Sequence, residues 1–158
     1  EHSLLNAHLL EGDILRKFNG VHIGIAVDTE RGLKVPTIMN ADKKSLAEIS
    51  AEAKELAKAA QSGSISPDKL KGASFTISNL GSFGIENFTP VINPPQTGIL
   101  GVNTIMTRVK QVNGELKPYN AMALSLTYDH RAVDGAPASK FLKDLCASLE
   151  NFSILLSK

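Results

Sequence analysis

A histidine and an aspartate four residues apart, His130 and Asp134, are the pair in this chain best suited to chemistry. An imidazole takes up and returns a proton near neutral pH, which is what a general base acting on a weakly acidic O–H or S–H must do. His130 follows the apolar run from Ala121 to Tyr128 and precedes a helical pattern. A residue at such a strand end is held by a rigid scaffold and can still face a cleft. Asp134 has two readings: a partner for the imidazole, or the cap of the helix that follows. A second constellation is Phe75 to Gly81, an apolar run that ends in Ser78 and then a glycine-bearing loop. A hydroxyl there can donate a hydrogen bond to a developing oxyanion. Ser78 lacks the Gly-x-Ser-x-Gly elbow of a nucleophile, and its alternative reading is a serine closing a strand. The loop Gly81-Ser82-Phe83-Gly84 is not followed by the Lys-Ser/Thr pair that a phosphate loop needs.

The remaining candidates read as structural. His2, His8 and His22 have bland contexts and are expected at surfaces or edges, and the four histidines have no His-x-x-x-His spacing for a metal. The single cysteine, Cys146, permits no internal disulfide and no cysteine zinc site, which suits a reducing compartment. Its place beside Leu145 and Leu149 predicts a small buried side chain. The chain of 158 residues is 42% hydrophobic and 21% charged, ordinary for one soluble globular domain. A net charge of +1 supplies no basic field for nucleic acid or an anionic membrane. The short basic runs Lys43-Lys44 and Lys69 to Lys71 read as solvated surface. No apolar run reaches membrane-spanning length, and no charged region precedes an apolar stretch as in a signal peptide.

These residues must be positioned by a mixed α/β domain with one central sheet and at least two helices. Ser3, Leu4, Leu5, Ala7, Leu9 and Leu10 already look like structured core, which raises the expectation of truncation upstream. Val21 to Val27 predicts a strand by its alternation, and Leu33 to Met39 is extended around Pro36. Leu46, Ile49, Ala53, Leu56 and Ala60 predict an amphipathic helix ending near Gly63, with Asp42 as N-cap. Ser66-Pro67-Asp68 starts a turn or short helix, and Ala73 to Ser78 is a strand. Asn93-Pro94-Pro95 breaks the chain. Thr97 to Asn103, Ile105 to Val112, Leu116 to Tyr119 and Ala121 to Tyr128 predict strands, with Asn113-Gly114 as a hairpin turn. Pro137 suits a first helical turn, and Phe141, Leu142, Leu145 and Leu149 mark the last helix.

Taken together, the segments resemble the catalytic domain of the dihydrolipoamide acyltransferases, core subunits of the 2-oxo acid dehydrogenase complexes. Asp129-His130-Arg131-Ala132-Val133-Asp134-Gly135 is similar to the family's Asp-His-Arg-x-x-Asp-Gly signature, which shares His-x-x-x-Asp-Gly with chloramphenicol acetyltransferases. Three stretches match in the same order: Gly24 to Thr29 with Gly32 to Pro36, Phe75 to Gly81, and Ile92 to Gln96 with Ile99 to Val102. The resemblance covers essentially the whole chain. It implies a chloramphenicol-acetyltransferase-like fold, a mixed central sheet flanked by helices, and a homotrimer with active sites between subunits.

On that resemblance, His130 of one subunit takes the proton from the coenzyme A thiol and Ser78 of its neighbour stabilises the tetrahedral oxyanion. Asp134 secures the site, in part through an arginine that this chain does not show. Coenzyme A is then a substrate, the lipoyl group is carried on a separate domain, and no metal is needed. Residues 1–158 correspond to the C-terminal part of the catalytic domain, with the lipoyl and peripheral-subunit-binding domains absent, so the activity of this piece alone is open. The stretches Phe83 to Pro90 and Ala136-Pro137-Ala138 look like those of acetyl-transferring members, rather than succinyl-transferring ones, and so point to a pyruvate dehydrogenase complex. The implied partners are a 2-oxo acid decarboxylase and dihydrolipoamide dehydrogenase, in the bacterial cytoplasm or the mitochondrial matrix. The apolar end, Phe152 to Leu156, is either a helix tail packed on its own domain or a hook into a neighbouring trimer of a cubic 24-mer or dodecahedral 60-mer. Two alternatives stand beside this reading: a non-catalytic core-like scaffold, and an O-acetyltransferase of the same fold acting on a small acceptor.

Overall fold

A computed structural model describes residues 2–155. Its centre is a five-stranded mixed sheet, accompanied by a separate two-stranded hairpin. The hairpin pairs β1 (Ala7–Leu10) with β2 (Ile14–Lys17). Between them, Gly12 and Asp13 both adopt positive φ. In the main sheet β3 (Ile23–Ile25) lies antiparallel to β4 (Thr37–Ile38) and parallel to β5 (Phe75–Asn79). β5 runs parallel to β6 (Gly98–Val112), which turns through Asn113-Gly114 into antiparallel β7 (Glu115–Tyr128). Both turn residues have positive φ, as the type I′ connection requires.

The strands foreseen as four short pieces are thus two long ones. The only register shift in the β6–β7 pairing lies between Val102 and Ile105. There the buried Asn103 amide donates to the Ala123 carbonyl (2.9 Å) and the Ser125 hydroxyl (3.2 Å), so the irregularity is bridged by a side chain. Beyond it the two strands continue as an arm.

The core forms where Leu5, Phe75, Leu100, Val133 and Ala138 meet, with Leu124, Leu126, Phe141, Leu142 and Leu145 packed against them. Leucines and Phe141 recur at helical spacing on α2 (Gly135–Glu150), so one stripe of that helix covers the sheet. Burial of side chains the size of Phe75 or Val133 stabilises by about 1.5–3 kcal/mol each. Cys146, on the same helix, is half-buried rather than fully buried. A short helical turn, α3 (Phe152–Leu155), follows; Leu156, the end of the apolar tail, lies outside the described residues.

Helix α1 (Leu46–Ser62) buries Leu56 and Ala60 and ends at Gly63 in the left-handed conformation. Its cap differs from expectation. Ser45, not Asp42, is the N-cap: its hydroxyl accepts from the Glu48 N–H (3.3 Å), and the Glu48 carboxylate accepts from the Ser45 N–H (2.8 Å). Asp42 is drawn away because its carboxylate accepts the Val21 N–H at 2.8 Å, and that bond holds its pKa below the usual aspartate range.

The histidines set aside as bland are also drawn into the structure. His8 Nε2 lies 2.8 Å from the Ala73 carbonyl, and His22 Nδ1 accepts the Asn40 N–H at 3.0 Å. His2 Nε2 meets Asp144 at 3.0 Å. Each half-buried imidazole therefore ties one segment to another.

The capping box yields the first test. Ser45→Ala is expected to lower unfolding stability by about 1 kcal/mol, read as a lower urea midpoint at unchanged slope. The Ser45 hydroxyl and N–H hold the Glu48 carboxyl below its usual pKa, so this contribution is present above the ordinary glutamate pKa and lost as pH falls through the depressed one. The gap between variant and parent should narrow on acidification. A gap that widens would contradict the assignment.

Candidate functional site

The turn that carries His130 is bolted to the sheet. β7 ends at Tyr128, and the next residue, Asp129, donates its N–H to the Thr97 carbonyl at 2.9 Å. The Asp129 carbonyl then accepts from the N–H groups of Ala132 and Val133, both at 3.0 Å, and Val133 is only 2% exposed. His130 rides on the crest of this turn with its side chain 70% exposed. Its Nδ1 stands 3.7 Å from Asp134 Oδ1, outside hydrogen-bond range. Asp134, 83% exposed, occupies the N-cap position of α2 but its side chain makes no cap bond. The carboxylate therefore neither caps the helix nor hydrogen-bonds the imidazole within one chain.

Ser78 comes from the interior of the sheet. It is half-buried on β5 and lines an apolar cleft of about 450 Å³ with Ala26, Leu33, Val35, Phe88 and Ile99. Directly across the ladder from Ser78 is Gly101. The Phe88 ring covers that glycine so closely that a Cβ there would fall 2.9 Å from Phe88 Cζ. The loop after Ser78 is fixed as well. The Leu80 N–H donates to the Val102 carbonyl, and the Gly81 N–H to Asn79 Oδ1 at 2.9 Å. A side chain at Gly81 would strike the Asn103 carbonyl at 2.7 Å, which explains a glycine at that step.

Sheet register shows that one chain does not bring Ser78 and His130 together. Ser78 is level with Gly101, and Gly101 with Ser125, whereas Tyr128 is level with Gly98. Ser125 and Tyr128 are separated by about 10 Å of strand rise, and β5 and β7 by about 10 Å of two strand spacings. Ser78 thus lies roughly 14 Å from Tyr128, with two more residues to His130. His130 and Asp134 share one end of the fold, and Ser78 faces a separate cleft.

Sequence reasoning assigned no role to the residues on either side of His130. Asp129 and Arg131 form a two-pronged pair, Nε to Oδ1 at 3.0 Å and Nη2 to Oδ2 at 2.7 Å, and Asp129 Oδ1 also accepts the Arg131 N–H at 3.0 Å. The signal was present: opposite charges flank the histidine at adjacent positions. Arg131's hydrogen bonds hold the Asp129 carboxyl below the usual aspartate range.

A mixed sheet with helices against it is the architecture of the chloramphenicol-acetyltransferase-like fold. A chloramphenicol acetyltransferase superposes over 90% of the chain with a TM-score of 0.50 at 14% identity, a likeness of fold alone. The family of 2-oxoacid dehydrogenases acyltransferase (catalytic domain) matches residues 1–157, and this chain belongs to it. Among curated relatives, the dihydrolipoyllysine-residue acetyltransferase component of the acetoin cleaving system of Bacillus subtilis is 46% identical over 86% of the chain. The corresponding component of the pyruvate dehydrogenase complex of Staphylococcus aureus is 44% identical over 92%. The chain spans 34% of the length of each of these relatives.

Two solved structures are similar throughout. The cubic core of a pyruvate dehydrogenase multienzyme complex gives a TM-score of 0.93 at 42% identity. Azotobacter vinelandii dihydrolipoamide acetyltransferase gives 0.94 at 42% identity. The match covers 98% of this chain and 64% of each of those chains. In the Azotobacter enzyme the roles of a serine, a histidine 52 positions later and an asparagine four beyond that were investigated in the catalytic mechanism.

The ion pair beside His130 generates a measurable expectation. In an NMR titration the Asp129 carboxyl should deprotonate below the usual aspartate range, and Arg131→Ala should return it toward that range. Any stability the pair adds is present above the ordinary aspartate pKa and is lost as pH falls through the depressed value. An unchanged midpoint in the arginine variant would mean the guanidinium does not hold the carboxylate in solution.

Proposed function

We propose that this chain transfers an acyl group, acetyl by our reading, between dihydrolipoamide and coenzyme A. One observation carries the proposal: Ser78, His130 and Asp134 have the same 52- and four-residue spacings as the three catalytic-mechanism residues of the Azotobacter enzyme. His130 accepts the proton of the coenzyme A thiol, and the thiolate attacks the acyl-dihydrolipoamide thioester carbonyl. The hydroxyl of Ser78 donates to the tetrahedral oxyanion. Collapse expels the dihydrolipoamide sulfur, which takes the proton back from the imidazolium, leaving acyl coenzyme A and an unchanged enzyme. A thiol of pKa about 8.5 lies close enough to a neutral base for this transfer to be cheap. No acyl-enzyme forms, and no metal enters the scheme.

Asp134 replaces the asparagine of the Azotobacter spacing. Its carboxylate stands 3.7 Å from Nδ1 of His130, on the side of the ring away from Nε2, the nitrogen we assign to the thiol. Phe88, pressed onto Gly101 beside Ser78, narrows the cleft where the oxyanion would form, which supports a small acyl group.

The same reading makes the active site composite: His130 of one subunit meets Ser78 of its neighbour in a homotrimer. The separation of the two within one chain supports this. So does the arm of β6 and β7. One of its faces carries the exposed Ile105, Val109, Leu116 and Met122 and no charge, while the other carries Arg108, Lys110, Lys117 and Glu115. An apolar face of that kind marks an interaction surface. Trimers would build a larger core, as the cubic structure does, and serve a 2-oxo acid decarboxylase and dihydrolipoamide dehydrogenase. The chain itself we read as the C-terminal part of the catalytic domain. In support, an apolar cleft of about 510 Å³ lies open along Phe18, Ile23, Phe75, Ile77, Leu100 and Leu145, and the matched cores have further chain beyond the matched span.

In the full-length protein, His130→Ala should reduce turnover by about a hundred- to ten-thousandfold and Ser78→Ala by about a hundred- to a thousandfold, with oligomers intact. Dissociating the two variants together and reassembling them should restore part of the activity, because some interfaces then pair an intact His130 with an intact Ser78. Turnover that survives His130→Ala would sink the mechanism. Loss in both variants without recovery on mixing would sink the composite site alone.

A further inference from the structure

The geometry points to Asp129 and Arg131 as a positioning pair that aims His130, an inference that rests on the proposed role of His130 as base. The argument begins with what His130 lacks. Its nearest charged neighbour, Asp134, stands at 3.7 Å, too far for a hydrogen bond to set the ring. The side chain is largely exposed, so packing does not lock it either, apart from the Tyr128 ring at 5.7 Å between centroids. Within one chain, the direction of the imidazole is therefore set mainly by the backbone beneath it.

That backbone is held by the two flanking side chains. Asp129 Oδ1 accepts both the Arg131 N–H and Nε, and Oδ2 accepts Nη2. Three bonds thus close a ring around His130, from the residue before it to the residue after it. The main chain of Asp129 is anchored independently, through its N–H to Thr97 and its carbonyl to Ala132 and Val133. The ring is consequently a rigid extension of the sheet rather than a floating turn.

The pair has little else to do. The Arg131 side chain is 71% exposed, and exposed ion pairs contribute little to stability. Its two-pronged geometry requires the planar fork of arginine, which lysine does not reproduce. Aiming a general base is worth more than the pair's own energy, because a displacement of about 1 Å at a reacting group costs on the order of a hundredfold in rate.

The test is steady-state acyl transfer from acetyl coenzyme A to free dihydrolipoamide by the assembled full-length protein. Asp129→Ala, Asp129→Asn, Arg131→Ala and Arg131→Lys are compared with His130→Ala. The expected result is a fall in kcat of about ten- to a hundredfold for both alanine variants, with KM for each substrate and the thermal midpoint near the parent. Arg131→Lys should do no better than Arg131→Ala. Asp129→Asn keeps an acceptor for the Arg131 N–H and should lose less than Asp129→Ala; it also carries the test if the alanine variant misassembles. Parent-like kcat in Asp129→Asn and Arg131→Ala would overturn the inference. So would a raised KM for coenzyme A that Arg131→Lys repairs, which would make Arg131 a substrate-binding group. If these variants are fully active while His130→Ala is dead, only the positioning role fails. If His130→Ala is itself active, the functional reading fails first.

Discussion

Thr97 is the residue on which the placement of the chemistry depends. It is fully buried immediately before β6, and it is bonded on three sides. Its hydroxyl donates to the Leu4 carbonyl at 2.6 Å, its N–H donates to the Ala7 carbonyl, and its carbonyl receives the Asp129 N–H. One residue therefore ties the N-terminal segment, the central sheet and the turn bearing His130 into a single body. A buried polar group without partners would cost several kcal/mol; here every backbone and side-chain group of Thr97 is used. Leu5 and Ala7, beside this node, are buried, and Leu5 fills the space over Gly98, where a Cβ would meet it at 2.8 Å.

From that node the hydrogen-bond ladder carries position outward without slack. Three parallel strands and an antiparallel edge strand make Ser78, Gly101 and Ser125 one row of the sheet, and Gly98 and Tyr128 another. A one-residue slip would invert every side chain of a strand, so such rows are not adjustable. The same ladder that fixes His130 at the end of β7 thus keeps Ser78 of the same chain away from it. On the proposed reading, one chain therefore holds the base at one end of the sheet and the oxyanion donor in the separate cleft.

Much of this was readable in the residues. The Asn113-Gly114 turn and the three- and four-residue steps of α1 and α2 appear where the side-chain pattern put them, because burial and turn sterics are local properties, whereas the strand read over Val21 to Val27 is only Ile23–Ile25. The first hairpin was missed since its strands are four residues each, and the stretch around them was read only as structured core with no element assigned. The cap of α1 went to Asp42 in the reading because aspartate there has the right type. The actual choice depended on Val21, 21 residues away, competing for its carboxylate. His8 and His22 looked idle for the same reason, as their partners Ala73 and Asn40 are distant in sequence. At the candidate site the residue types were legible and the motif assembled them in order. The separation of Ser78 from His130 followed only from the family resemblance, because spacing along a chain of 158 residues says nothing about which rows of a sheet two residues occupy.

The exposure of His130 and Asp134 takes its meaning from that separation. A general base serves best where water is excluded and its neighbours are fixed, yet in the isolated chain the imidazole stands largely in solvent. The fold supplies rigidity beneath it, through Thr97, Val133 and the Asp129–Arg131 pair, but no wall above it. On the proposed reading the wall is the neighbouring subunit's Ser78 cleft, whose apolar lining would exclude water from the thioester as it brings the hydroxyl to the oxyanion. The uncharged face of the β6–β7 arm then has its use as part of the contact that makes the two halves meet. Catalytic competence would be a property of the assembly, with each subunit folding a stable half-site and leaving its completion to association.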